Sequence, residues 1–147
     1  MFPNQCRETR RTETLRHSPF SSDQIHSVLD TLPPGTDDET RYRNRAGAIV
    51  SDDEGKWIFV SNRGTDTVSM LKKDGEGILT PVCVVPSGAE DPRDIAVLDH
   101  YLMIGHQKGK KITVLKYTEN AELSDTGYAL DMPAAPVCIS VLNRSGE

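Results

Sequence analysis

The amino-acid sequence predicts an all-β fold assembled from repeated four-stranded antiparallel units, and three observations carry that prediction. First, two stretches match at an offset of 44 residues, with Val68, Ser69, Met70 and Leu79 standing over Ile112, Thr113, Val114 and Leu123. The same offset sets Pro92 and Ile95 over Pro136 and Ile139, so a third copy opens near the C-terminus. Second, residues 57–60 and 101–104 are apolar throughout, as strands are when a neighbouring sheet covers each face. Third, glycine-bearing polar turns such as Asp52-Asp53-Glu54-Gly55 and Asp74-Gly75-Glu76-Gly77 punctuate the apolar runs. A period of this length built from four short strands is that of a β-propeller blade. The expected architecture is a partial β-propeller, with two complete blades over about 46–85 and 92–131 and one strand of each flanking blade.

Taken in order, residues 1–22 stand apart from the module expected over 23–147. Arg7, Arg10, Arg11 and Arg16 lie beside Glu8 and Glu13 with almost no apolar content, which cannot pack a core. The segment is therefore expected to be disordered or a junction artefact; a basic tail and a short amphipathic helix are the alternatives. Residues 24–29 alternate and are expected as the outer strand of a preceding, incomplete blade. Leu32-Pro33-Pro34-Gly35 ends that strand, and polar residues 36–45 read as a loop. Strands a to d of the first blade are expected at 46–50, 57–61, 67–72 and 78–85. Those of the second are expected at 93–98, 101–105, 111–117 and about 123–130. Residues 137–142 alternate Val137, Ile139 and Val141 and read as one more inner strand. A wheel that does not close leaves an apolar face at each end, so self-association is expected.

Composition narrows the function classes. A net charge of −5 argues against nonspecific nucleic-acid binding. The longest apolar runs are four residues, as at 95–98, far short of a membrane span. The polar N-terminus lacks a secretory apolar stretch, which makes the cytoplasm the expected setting. Cys6, Cys83 and Cys138 have no metal-ligand spacing and read as reduced thiols; neither a metal nor a cofactor is expected.

Several motifs in order make the chain resemble the C-terminal part of the bacterial seven-bladed propeller lactonases, the family of the propeller-type 6-phosphogluconolactonase. Val60-Ser61-Asn62-Arg63-Gly64 matches the family's serine-asparagine-arginine-glycine at a strand end. Asp91-Pro92-Arg93-Asp94-Ile95 matches its proline-arginine opening of the next inner strand, and Gln107 its asparagine-glutamine turn. Pro136-Val137-Cys138-Ile139 is similar to its opening of the following blade. The resemblance covers roughly residues 24–142. It implies hydrolysis of an anionic sugar lactone, 6-phosphogluconolactone to 6-phosphogluconate, in carbohydrate metabolism. A non-catalytic propeller fragment or binding module, and a carboxymuconate-cyclase-like enzyme, are the alternatives.

Strands of a blade alternate in direction, so the d-to-a and b-to-c connections share one rim. Arg43, Asn44, Arg45, Asn62, Arg63, Arg93, His106, Gln107 and Lys108 fall on it. A guanidinium fork suits phosphate or carboxylate, and lactone hydrolysis also needs an activated water and a donor to the carbonyl oxygen. Arg63 and His106 are therefore the catalytic candidates, and Asn62, Arg93 and Gln107 the substrate-binding ones. The same residues also fit structural roles: Asn62-Arg63-Gly64 as a turn with Arg63 paired to Asp66, Arg93 paired to Glu90 or Asp94, and His106 as an exposed turn residue. One departure stands out. Where the family shows alanine-glutamate-isoleucine-histidine, this chain has Gly47-Ala48-Ile49-Val50, so Ala48 and Val50 replace an acid and a base. These 147 residues are accordingly expected to have little or no activity alone.

Overall fold

A computed structural model describes the backbone at residues 12–15 and 25–142. Its elements are β1 (Thr12–Leu15), β2 (Ile25–Leu29), α1 (Asp38–Arg43), β3 (Ala46–Ser51), β4 (Trp57–Asn62) and β5 (Thr67–Lys73). They continue as β6 (Leu79–Pro86), β7 (Pro92–Leu98), β8 (Tyr101–His106), β9 (Lys111–Tyr117) and β10 (Leu123–Asp131). Two four-stranded antiparallel sheets result, ordered β3-β4-β5-β6 and β7-β8-β9-β10. This is the partial propeller expected from the repeat.

The faces of β4 fill because its residues are apolar on both sides. Trp57 and Phe59, with Val68 and Met70 of β5, pack against Ile95, Leu102, Ile104, Leu115 and Tyr117 of the second blade. The rings of Phe59 and Tyr117 lie 5.0 Å apart between centroids. On the opposite face, Val60, Leu71 and Leu79 form a smaller cluster with Leu29 and Ile58. Each large apolar side chain enclosed there stabilises the fold by about 1.5–3 kcal/mol. The preceding side of the first blade still exposes Ile49, and Tyr128 and Leu130 of β10 are exposed at the far end. No helix among the described residues is long and apolar enough to cross a membrane.

The inner strands of the two blades meet at a glycine. A Cβ on Gly47 would stand 2.6 Å from Ser61 Oγ and 2.7 Å from the Pro92 carbonyl oxygen. Only a residue without a side chain lets β3 approach β7 this closely, and that contact holds the rim in register.

Three local expectations are corrected. Residues 36–45 are not all loop, because Asp37 caps α1 by accepting the Thr40 N–H at 2.9 Å. Asp38 and Glu39 in the first turn and Arg41 and Arg43 in the last complement the helix dipole. Within 1–22, Thr12–Leu15 forms a strand paired antiparallel with β2; the rest of that segment lies outside the described residues. Residues 137–142 lie along the second blade without a strand ladder. The segment is held there by Ile139 N–H donating to Asp94 Oδ2 at 2.8 Å.

Candidate functional site

The rim between the blades is organised around Arg63. Leaving β4, its Nε donates to Asp91 Oδ1 at 2.7 Å and its Nη2 to Asp91 Oδ2 at 3.1 Å. Nη2 also donates to Gln107 Oε1 at 3.0 Å, and Arg93 Nη1 donates to that same oxygen at 2.6 Å. One neutral amide oxygen thus receives two guanidinium groups. Asp91 reaches this position because its backbone takes a positive φ of 65°, held by its N–H donating to Asp66 Oδ1 at 2.7 Å. Its carbonyl oxygen in turn accepts the Gln107 N–H at 2.9 Å. Hydrogen bonds from Arg63 outweigh burial and hold the Asp91 carboxyl below the usual carboxylate range.

Arg63, Arg93 and Gln107 are therefore brought together. The pairing differs in detail from the sequence expectation, since Arg63 takes Asp91 rather than Asp66 and Arg93 takes Gln107. Asp91 is the residue that sequence reasoning missed as a partner. Among the described residues, no carboxylate forms a salt bridge with Arg93.

Asn62 and His106 do not join this cluster. Both side chains are fully buried, at 0% exposure, in equivalent places at the ends of β4 and β8. Asn62 Nδ2 donates to Ser69 Oγ at 2.8 Å, and Ser69 Oγ donates to the Thr31 carbonyl. His106 Nε2 bonds Thr113 Oγ1 at 2.8 Å, and Thr113 Oγ1 donates to the Ser87 carbonyl at 2.6 Å. Thr31 follows β2 and Ser87 follows β6, so each stitch ties a blade to the outer strand before it. Asn62 has no free polar atom to orient a sugar: Thr31 Oγ1 donates to its Oδ1 at 2.8 Å and its Nδ2 also donates to Thr67 Oγ1 at 3.1 Å. His106 is removed from the rim by the same geometry, and burial pushes its imidazole below the ordinary histidine range. Its expectation as a rim base, or as an exposed turn residue, is corrected. The 44-residue register, which sets Asn62 on His106 and Ser69 on Thr113, was the signal for this pairing.

The cluster can bind an anion but holds no free base. Asp91 is engaged by Arg63, and Asp94 accepts from Ile139. Ala48 and Val50 pack against the apolar core at the blade contact and bring no proton-transfer group.

Two antiparallel four-stranded blades, packed through doubly apolar strands, define a partial β-propeller. The chain belongs to the seven-bladed β-propeller lactonase family, whose model matches residues 19–141. An uncharacterised protein of Staphylococcus saprophyticus is 34% identical over 138 residues, covering 88% of this chain and 37% of that relative. An uncharacterised protein of Staphylococcus aureus is 32% identical over 88 residues, 58% of this chain and 25% of that one. Among solved structures, a periplasmic gluconolactonase of Pseudomonas aeruginosa superposes with TM-score 0.71 at 16% identity, over 83% of this chain and 34% of that one. A candidate 6-phosphogluconolactonase of Bacteroides fragilis gives 0.70 at 20% identity, over 84% and 33%. The chain thus spans well under half the length of the relatives it matches.

Proposed function

We propose that the whole protein hydrolyses an anionic sugar lactone in the cytoplasm, with 6-phosphogluconolactone as the leading substrate, and that these residues supply the anion-holding part of its pocket. The observation that carries this reading is Arg93, a half-buried guanidinium anchored by Gln107 and without a carboxylate partner among the described residues. In the reaction, water adds to the lactone carbonyl, negative charge gathers on its oxygen, and the ring C–O bond breaks to leave a carboxylate and a hydroxyl. Arg93 can pair with the substrate phosphate or with that oxyanion, and Arg63 steadies it through the shared Gln107 oxygen. Neither arginine can activate the water, so turnover by this chain alone is absent or weak.

Ala48 and Val50 favour a second reading, a non-catalytic binding module of the same fold. A carboxymuconate-cyclase-like activity would use the same arginines toward a carboxylate. Calorimetric titration with 6-phosphogluconate, beside a lactonase assay, separates these readings. The expected result is binding that weakens about tenfold or more in Arg93→Ala, as loss of a charge-assisted pair requires, with little turnover. Binding that is absent, or indifferent to Arg93→Ala, would overturn the anion-holding role. Robust turnover surviving that change would overturn both the site and the argument from missing groups.

A further inference from the structure

Resting on the anion-holding reading of Arg93, we propose that His106 is a positioning residue for the rim. Its neutral imidazole holds Gln107, and through it both guanidinium groups; charging the ring releases them. In the 44-residue repeat His106 answers to Asn62, and each closes a buried stitch to the outer strand before it. An amide has no charge to gain there, whereas an imidazole does. The second blade therefore carries a titratable version of a joint that the first blade builds without one.

The hydrogen bonds fix which nitrogen bears the proton. Thr113 Oγ1 gives its one proton to the Ser87 carbonyl at 2.6 Å, so His106 Nε2 must donate to Thr113 Oγ1 at 2.8 Å. Nδ1 is left with a buried lone pair that has no hydrogen-bond partner among the described residues. A proton arriving on Nδ1 puts a full charge on a side chain at 0% exposure. Burial opposes that charge more than the nearby Ser87 and Ala89 carbonyls and Asp66 favour it, and Lys111 of β9 opposes it too. The other charged groups on the surrounding segments are engaged elsewhere: Glu90 with Lys108, Asp91 with Arg63, Arg93 with Gln107, and Asp94 with the Ile139 N–H. The ring is thus neutral at pH 7 and is driven out of the stitch as it charges.

The stitch leads into the rim from both of its ends. Gln107 follows His106 directly, and its Oε1 accepts both Arg63 Nη2 and Arg93 Nη1. Ser87 opens the connection to β7, whose far end is Asp91, the partner of Arg63. Gly88, at a φ of 96°, packs so closely on Thr113 that a Cβ would stand 3.0 Å from its Cγ2. Ser87 N–H donates to the Asp66 carbonyl at 2.9 Å, and Asp91 N–H to Asp66 Oδ1 at 2.7 Å. The Asp91 carbonyl accepts the Gln107 N–H at 2.9 Å, which closes the circuit. Displacing His106 therefore moves Gln107 and the Asp91-bearing connection together. Neither guanidinium changes charge between about pH 5 and 7, and Asp91 stays ionised there because Arg63 holds its carboxyl below the usual range.

The test is a heteronuclear NMR pH titration of the full chain as parent, as His106→Asn and as His106→Asn with Thr113→Ser, which copies the Asn62–Ser69 pair of the first blade. In the parent, the Gln107 side-chain amide and the Arg63 Nε–H should shift with the midpoint of the His106 imidazole. In both variants they should stay still between about pH 7.5 and 5.5. Calorimetry with 6-phosphogluconate gives the functional arm. The ligand's own phosphate titrates at about pH 6 against every chain alike, so the comparison is between chains. Over that range the parent's Kd should rise about fivefold more than the variants', with all three within about twofold at the upper end. Rim resonances that ignore the His106 midpoint, or an equal loss of affinity in parent and variants, would overturn the proposal. Binding that is absent at the upper pH, or that ignores Arg93→Ala, sinks the rim reading instead, and the titration of the free chain still decides the role of His106.

Discussion

Replacing Arg63 with alanine removes three hydrogen bonds and takes from the Asp91 carboxylate its salt-bridge partner, leaving only the fields of Lys108 and Arg93 to offset its charge. Asp91 is 7% exposed at its side chain, against 28% for Arg63, so the pair is neither a surface salt bridge nor fully enclosed. Exposed pairs contribute about 0–1 kcal/mol, whereas breaking a fully buried pair costs about 3–5 kcal/mol. The geometry here falls between, and Arg63→Ala should cost about 2 kcal/mol. Urea denaturation of the purified chain reads that difference at neutral pH. The pH dependence supplies a second check. Asp91 has a folded pKa below its unfolded value, so its stabilisation is present above the unfolded pKa and lost as pH falls through the folded one. The gap between parent and Arg63→Ala should therefore close progressively below about pH 4. Adding Asp91→Asn to Arg63→Ala should recover part of the loss, because the orphaned charge disappears with it. A variant within about 0.5 kcal/mol of the parent at pH 7, with an unchanged acid limb, would refute the claim that this pair organises the rim.

Two further outcomes follow from the same packing. His106 is neutral and buried with a depressed pKa, so protons favour the unfolded chain and stability should fall as pH drops from about 7 toward 5. His106→Asn, which copies Asn62, should keep the stitch to Thr113 and flatten that limb; an equally steep limb in the variant would place the titration elsewhere. Gly47→Ala should destabilise the chain by about 1–3 kcal/mol, since its Cβ would press on Ser61 Oγ and the Pro92 carbonyl. A thermal midpoint equal to the parent's would mean that β3 and β7 can separate without cost.

How much of this was legible depends on where the determining interaction lies. The blades were legible because the repeat and the doubly apolar runs encode burial directly: β4, expected at 57–61, spans Trp57–Asn62, and β9 spans the expected 111–117. Helix α1 was legible in principle, since Asp37, the acidic first turn and the basic last turn are its end signals; six residues without an apolar stripe obscured them. The burial of His106 was hidden because a turn-adjacent histidine reads as solvated until the repeat is used to set it on Asn62. The Arg63–Asp91 pair was beyond sequence reading altogether. It joins residues 28 apart through an aspartate at positive φ, a conformation that its residue type permits and does not announce.

The two blades contribute unequally to the rim, and the register shows how. Ala46 pairs with Asn62 as Pro92 pairs with His106, which makes Gly47 the first blade's counterpart of Arg93. The first blade thus places no side chain where the second places its guanidinium, because the space of a Gly47 Cβ is filled by the Pro92 and Arg93 carbonyl oxygens and Ser61. One position later than the buried stitch, the order reverses. Arg63 and Gln107 occupy equivalent places in successive blades and touch each other at 3.0 Å. Under the proposed function, anion recognition comes from varying two repeat positions, the second residue of strand a and the residue after strand b, between a cation, an amide and nothing. Proton transfer needs a third kind of residue at such a position, an acid or base with a free lone pair. The counterparts described here hold Gly47, Arg93, Arg63 and Gln107, none of which meets that need at neutral pH.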